Sequence, residues 1–113
     1  MKRFYLFCDA GMSTSLLASR MQKVADANKL PIEVKAFSDS KMEEVIEKNN
    51  PDAILLGPQV RHIYDKTVEK YKKPGNIVML IDPDDYGSMN GERVLKATML
   101  NYKKESKKWK WKN

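Results

Sequence analysis

Cys8 is the residue of this 113-residue sequence whose type and surroundings most favour covalent chemistry. It ends an apolar run and precedes a small, polar loop, residues 9–15, that leads into a helical pattern. Backbone N–H groups in such a turn converge on one point, and the helix dipole adds partial positive charge there. Both effects favour an anion, either the Cys8 thiolate or a phosphoryl group bound to it. The alternative is a small buried apolar side chain, as most lone cysteines are.

The loop also contains residue types suited to holding a phosphoryl group. Gly11 permits a positive φ, which helps a loop wrap its amides around an anion. Ser13, Thr14 and Ser15 can donate hydroxyl hydrogen bonds and cap the helix. Low-molecular-weight tyrosine phosphatases place an arginine clamp six residues after their cysteine, where this sequence has Thr14. Without that clamp hydrolysis should be poor, so the sequence favours a phosphocysteine that is passed on to another substrate.

Other polar residues are weaker candidates. Gln59, just after Gly57 and Pro58, would approach the loop if the third strand neighbours the first; helix capping is the alternative. The single histidine, His62, is expected to face solvent. Three aspartates (Asp82, Asp84 and Asp85) resemble a metal cluster on paper, but turn formation around Pro83 explains them better, and no metal site is predicted.

The elements that must position these residues alternate along the chain. Apolar runs predict strands at 3–8, 32–37, 53–57 and 77–81, the second of them at a sheet edge because its charges alternate. Helical spacing predicts helices ending near 28, starting near 40 with Ser38, Asp39 or Ser40 as the cap, and covering 58–71 and 92–104. Residues 82–91 are predicted to be a loop.

Strands that alternate with helices over short links indicate an α/β fold. The links force parallel strands with right-handed crossovers, and a four-stranded sheet covered by helices on both faces makes three layers. Ligands in such folds bind beyond the carboxyl ends of the strands. Three loops lie at that edge in this interpretation: 8–15, 57–61 and 82–91.

Composition excludes several classes of protein. The chain is 42% hydrophobic and 32% charged, which is typical of a globular domain and not of a disordered segment. One cysteine and one histidine leave neither an internal disulfide nor a structural metal site. The longest apolar runs are far shorter than a membrane span, so no span is predicted and the chain is expected to be cytoplasmic.

The net charge of +6 is concentrated in one short segment. From Asn101 onward six lysines accompany a single acid, Glu105, whereas residues 1–100 carry a net charge of only +1. The sequence therefore predicts no basic surface across the whole domain, and no nucleic-acid partner is predicted for the body of the protein. A lysine tail that binds nucleic acid remains an alternative, with affinity that falls steeply with salt.

Four motifs in order resemble the enzyme IIB component of the lactose/cellobiose (chitobiose) class of the bacterial sugar phosphotransferase system. The resemblance covers residues 2 to about 104. The motifs are Phe4-Tyr5-Leu6-Phe7-Cys8, Ala10-Gly11-Met12-Ser13-Thr14-Ser15-Leu16-Leu17, Leu55-Leu56-Gly57-Pro58-Gln59, and Ile81-Asp82 with Tyr86-Gly87.

This resemblance implies a flavodoxin-like parallel sheet with strand order 2-1-3-4 and a phosphoryl carrier that needs no metal or cofactor. Cys8 would take a phosphoryl group from a histidine of the IIA partner and pass it to a sugar held by the membrane-embedded IIC. The sugar would be of the cellobiose, chitobiose or lactose type, and the protein would lie at the inner membrane face through IIC. The phosphate-binding loop would comprise Asp9, Ala10, Gly11, Met12, Ser13, Thr14 and Ser15, with Met12 exposed as a partner contact.

Two features depart from the family pattern. Asp9 places a carboxylate where the family usually has a small or neutral residue, and such a charge should disfavour phosphorylation unless its side chain points to solvent or caps Gly11 or Met12. We expect local capping. The second is the tail, with Trp109 and Trp111 between lysines. We expect one IIB domain at 1–104 and a frayed, solvated segment at 105–113. Attraction of that segment to anionic lipid or to IIC is the alternative.

Overall fold

The computed structural model describes residues 1–9 and 11–112, and for residues 11, 12 and 108–112 it describes the backbone alone. The strands are β1 (Lys2–Cys8), β2 (Ile32–Ser38), β3 (Ala53–Leu56) and β4 (Ile77–Leu80). The helices are α1 (Gly11–Ala27), α2 (Met42–Asn49), α3 (Tyr64–Tyr71), α4 (Pro83–Gly87) and α5 (Gly91–Lys112). Short 3₁₀ segments, Asp39–Lys41 and Pro58–Ile63, precede α2 and α3.

The four strands form one parallel sheet in the order β2-β1-β3-β4. This order confirms the prediction, including the edge position of β2. Cys8 pairs with Ser38 at the end of β2, and Phe7 pairs with Leu56 at the end of β3. The carboxyl ends of three strands therefore meet beside Cys8. In parallel α/β sheets this end of the strands is where ligands bind.

Both faces of the sheet are covered, which explains the continuous apolar run in β1. Phe4 and Leu6 pack on one face against side chains of α1, α4 and α5. Tyr5 and Phe7 pack on the other face against side chains of α2 and α3. Because successive side chains of a strand point to opposite faces, β1 contributes to both halves of the core.

The structure corrects four predicted element boundaries. The first helix begins at Gly11, so residues 11–15 of the predicted loop at 9–15 are helical. The predicted loop at 82–91 contains a helix, α4, because the Asp82 carboxylate accepts hydrogen bonds from the backbone N–H groups of Asp84 and Asp85 at 2.8 and 3.2 Å. The predicted third helix begins as a 3₁₀ segment that kinks at Val60. The last helix was predicted to end at Lys104 but continues to Lys112, so the backbone of the lysine-rich segment is helical there and not frayed.

The second half of α5 reaches the edge of the sheet where the strands begin. Lys2 Nζ donates to the Tyr102 hydroxyl at 2.9 Å. Glu105 pairs with Lys72 at 3.1 Å, in the connection that precedes β4. The second half of α5, with Lys103, Lys104 and Lys107, therefore lies at the opposite end of the sheet from Cys8. Within the described part of the chain, every helix is too short or too polar to cross a membrane.

Candidate active site

The local backbone places Cys8 between a strand end and a helix start. Cys8 is the last residue of β1 and is fully buried, and α1 begins three residues later at Gly11. The first backbone N–H groups of an α-helix have no partner within the helix, and the helix dipole makes that end partially positive. Strand, cysteine and helix follow one another in the predicted order, but residues 11–15 of the predicted loop belong to the first turn of α1.

Three side-chain oxygens surround the Cys8 sulfur. Cys8 Sγ lies 3.1 Å from Gln59 Oε1 and 3.5 Å from Asp9 Oδ1, and the thiol can donate to either oxygen. The Tyr86 hydroxyl lies 3.9 Å from the sulfur, and either atom can be the donor. Asp9 and Gln59 thus provide oxygens that can accept a hydrogen bond from the thiol. Tyr86 provides a hydroxyl that can donate a hydrogen bond to an anion on Cys8.

Tyr86 comes from α4 and is buried, and its hydroxyl also contacts Thr14 Oγ1 at 3.1 Å. Burial raises the pKa of Tyr86 above 10.0, and the hydrogen bond and charge of Cys8 raise it further, against a lowering by Thr14 and Gln59. The hydroxyl therefore stays protonated at neutral pH and is able to donate a hydrogen bond to an anion on Cys8.

Gly57 provides the space in which the sulfur lies. Its backbone N–H donates to the Phe7 carbonyl at 3.0 Å, which holds the end of β3 against the end of β1. A Cβ atom on Gly57 would lie 2.9 Å from Cys8 Sγ and 3.3 Å from Gln59 Oε1. A glycine is needed here because of this close approach, since its φ of −67° is open to any residue.

The structure brings together four of the predicted site residues: Cys8, Asp9, Thr14 and Gln59. Thr14 reaches the sulfur through Tyr86, while Ser13 and Ser15 are exposed. Asp9 is exposed as well, but its carboxylate contacts the thiol. Ala10 and the side chain of Met12 lie outside the described residues, and so does the predicted exposure of Met12, while Gly11 is described by its backbone as the first residue of α1.

Sequence reasoning missed Tyr86 as a site residue. The signal was present, because Tyr86 lies in one of the three loops assigned to the carboxyl edge and in one of the four motifs. It was overlooked because residues 82–91 were expected to be solvated, whereas α4 turns the ring inward. A buried tyrosine needs a partner for its hydroxyl, and Thr14 and Cys8 provide one.

The remaining candidates lie apart from the sulfur. His62 is exposed in the 3₁₀ segment before α3. Asp82 caps α4, and Asp85 pairs with Arg93 at 2.8 Å. Across residues 1–9 and 11–112 the structure contains no group of three acidic, histidine or cysteine side chains arranged to hold a metal ion. The Arg20 guanidinium, which a phosphatase interpretation would need at the thiol, donates instead to the Met89 carbonyl at 3.2 Å.

Comparison with known proteins identifies the family of this chain. Residues 3–97 match the family described as the lactose/cellobiose-specific IIB subunit of the phosphotransferase system. The chain belongs to this family. It is 40% identical over 95 residues to the galactose-specific EIIB component of Lactococcus lactis subsp. cremoris, which covers 81% of this chain and 88% of that protein. The oligo-beta-mannoside-specific EIIB component of Bacillus subtilis is 30% identical over 99 residues, 88% of this chain and 94% of the relative.

Solved structures show the same fold. The solution structure of a cellobiose-specific IIB component from Borrelia burgdorferi is 31% identical, with a TM-score of 0.68 over 92% of this IIB chain and 95% of that one. The lactose-specific IIB domain from Streptococcus pneumoniae has a TM-score of 0.75 over 89% and 97% of the two chains. At 16% identity this second likeness is one of fold alone. The protein is thus an IIB component of a lactose/cellobiose-type sugar phosphotransferase system.

Proposed function

We propose that this IIB component is a phosphoryl carrier whose covalent relay is Cys8. It accepts a phosphoryl group from a phosphohistidine of IIA and transfers it to a sugar bound by the membrane component IIC. This proposal rests on the position of Cys8 Sγ. Cys8 is the last residue of β1 and precedes the N-terminus of α1, and its sulfur lies within reach of Gln59 and Tyr86. A phosphoryl group on the sulfur would meet the positive end of α1.

The reaction comprises two displacements at the same phosphorus atom. In the loading step the Cys8 sulfur attacks, the S–P bond forms and the P–N bond of the phosphohistidine breaks. The thiol proton passes, directly or through water, to the imidazole nitrogen that leaves. In the discharge step a sugar hydroxyl attacks, the O–P bond forms and the S–P bond breaks. The hydroxyl proton then restores the thiol.

The surrounding residues bind and orient the group in this scheme. The backbone N–H groups of the first turn of α1, which begins at Gly11, bind the phosphoryl oxygens, and the Tyr86 hydroxyl donates a further hydrogen bond. Gln59 accepts from the thiol through Oε1 at 3.1 Å. Rotation of its amide by half a turn would present Nε2 as a donor to a phosphoryl oxygen. The side chain can therefore serve both the free and the phosphorylated protein.

The sugar itself is chosen elsewhere. Relatives that are 40% identical to this chain carry the names galactose-specific and cellobiose-specific, so similarity at this level does not separate one sugar from another. We infer that IIC determines the sugar, which is of the cellobiose, chitobiose or lactose type. The IIB protein would then work in the cytoplasm, at the membrane face where IIC opens.

The first test is intact-mass spectrometry after incubation with phosphoenolpyruvate, the general phosphotransferase proteins and a IIA of the lactose/cellobiose class. We expect a gain of one phosphoryl group, its absence in Cys8→Ser, and its loss when IIC and sugar are added. Circular dichroism should show that Cys8→Ser is folded. The IIA must first be shown to load another IIB of the class.

Two results would contradict the carrier role. A Cys8→Ser protein that still relays phosphoryl groups to sugar would exclude the thiol as the acceptor. Sustained hydrolysis of an aryl phosphate by the wild-type protein would instead support a hydrolase of the low-molecular-weight phosphatase type.

A further inference from the structure

The Asp9 carboxylate lies next to the sulfur, and among the described side chains none forms an ion pair with it. Asp9 Oδ1 is 3.5 Å from Cys8 Sγ. Among residues 1–9 and 11–112 the thiol is the only described partner of this carboxylate, and its side chain is exposed to solvent. A phosphoryl group on the sulfur would therefore stand beside an unneutralised negative charge.

We propose that Asp9 sets the phosphoryl-transfer equilibrium of Cys8 by destabilising the phosphocysteine electrostatically. This inference rests on the carrier function proposed above. The free thiol gains from Asp9, because it can donate a hydrogen bond to the carboxylate. A phosphothiolate has no proton to donate and brings nearly two negative charges, so it repels the same carboxylate.

Both effects act in one direction. Loading from IIA becomes less favourable, because the product of that step is the repelled species. Discharge to the sugar becomes more favourable by the same factor, because the repulsion is relieved when the S–P bond breaks. Asp9 thus makes the protein a carrier that retains its phosphoryl group weakly and gives it up readily.

The size of the effect follows from distance and exposure. Charges a few ångströms apart at a solvated protein surface change an equilibrium by about tenfold. The Debye length is about 10 Å at 0.1 M salt and about 3 Å at 1 M, so concentrated salt should screen most of this repulsion. A role of Asp9 in local folding would show no such salt dependence.

The test is the equilibrium constant for transfer between phospho-IIA and IIB, measured by intact-mass spectrometry at fixed ratios of phosphorylated to free IIA. For Asp9→Asn and Asp9→Ala we expect a constant about tenfold higher than that of the wild type at 0.1 M salt, falling to less than about threefold higher at 1 M. The alanine variant is needed because the new amide of asparagine could donate to the phosphoryl group.

Asp84→Asn is the matched control, because it removes the same charge from α4 at the same edge of the sheet. Among the described residues the Asp84 carboxylate forms neither a hydrogen bond nor an ion pair with Cys8 or another side chain, so the equilibrium constant of this variant should stay within twofold of the wild type. Equal constants for the wild type and both Asp9 variants would overturn the inference while leaving the carrier role intact. Failure of every variant and of the wild type to load from a competent IIA would overturn the carrier role itself.

Discussion

At the scale of single residues, the proposed phosphoryl site combines the start of α1 with Tyr86. Helix α1 begins three residues after Cys8, so its position near the sulfur is fixed by local geometry. Tyr86 lies 78 positions away in the chain and arrives through the packing of α4. Its raised pKa keeps the proton on the hydroxyl, which makes it a donor wherever an anion forms on Cys8.

We expect Tyr86→Phe to slow phosphoryl transfer from IIA by about tenfold to a hundredfold, the range for loss of a hydrogen bond to a charged group. The free energy of unfolding should fall by only about 1 kcal/mol, because the ring remains to fill its place in the core. Transfer rates from rapid-quench experiments and urea unfolding curves separate the two effects.

Tyr102→Phe is the corresponding control, since its hydroxyl contacts Lys2 at the opposite edge of the sheet. Transfer by this variant should match the wild type. A Tyr86→Phe protein with unchanged transfer rates would show that the hydroxyl plays no part in stabilising the phosphoryl group.

At the scale of elements, sequence pattern predicts what is local and misses what depends on packing. Apolar runs and short links predict the strands, their parallel pairing and the turn that follows Cys8. Helix α4 was missed because five residues rich in turn formers carry no helical periodicity. The extension of α5 beyond Lys104 was missed because lysines offer no apolar face to mark a helix end.

Gly91 shows how a close contact between elements stays hidden in the sequence. It begins α5, where a Cβ atom would lie 2.7 Å from the Arg20 carbonyl carbon and 2.8 Å from the Met21 nitrogen of α1. Both are backbone atoms, so neither can move without shifting the helix. Only the packing of α1 on α5 identifies this glycine as different from Gly87, which has open space around it.

We therefore expect Gly91→Ala to lower the free energy of unfolding by about 1–3 kcal/mol, the usual cost of overpacking. Gly87→Ala also places a methyl group on a helical glycine, and should change stability by less than about 0.5 kcal/mol. Urea unfolding followed by circular dichroism measures both. Equal stabilities for the two variants would mean that α1 and α5 are further apart than described.

At the scale of the whole molecule, the protein should lose stability at alkaline pH because Tyr5 is buried in β1. The Tyr5 hydroxyl donates to Glu33 Oε1 at 2.5 Å. Burial and then this hydrogen bond raise the pKa of Tyr5 to about 12. Above pH 10 the unfolded chain releases this proton while the folded chain retains it. Stability is therefore fully present below about pH 10 and is lost as the pH rises towards 12.

Between pH 9 and pH 11 the wild-type protein should lose about 1 kcal/mol more unfolding free energy than Tyr5→Phe. The comparison of slopes removes the contribution of other groups, which titrate in both proteins. Urea unfolding at several pH values provides the measurement. Parallel curves for the two proteins would show that Tyr5 ionises in the folded state as easily as in the unfolded one.

The sheet also gives the molecule two unlike ends. β1 runs over seven residues from Lys2 to Cys8, about 20 Å along the strand, and the second half of α5, with Lys103, Lys104 and Lys107, lies near the Lys2 end. An anionic bead or sensor surface that captures the protein through these lysines would hold it with the Cys8 end of the sheet facing the solution. A fluorescent protein or a second domain fused near Lys2 would emerge from the same end. Attachment through this end therefore leaves the path to Cys8 open.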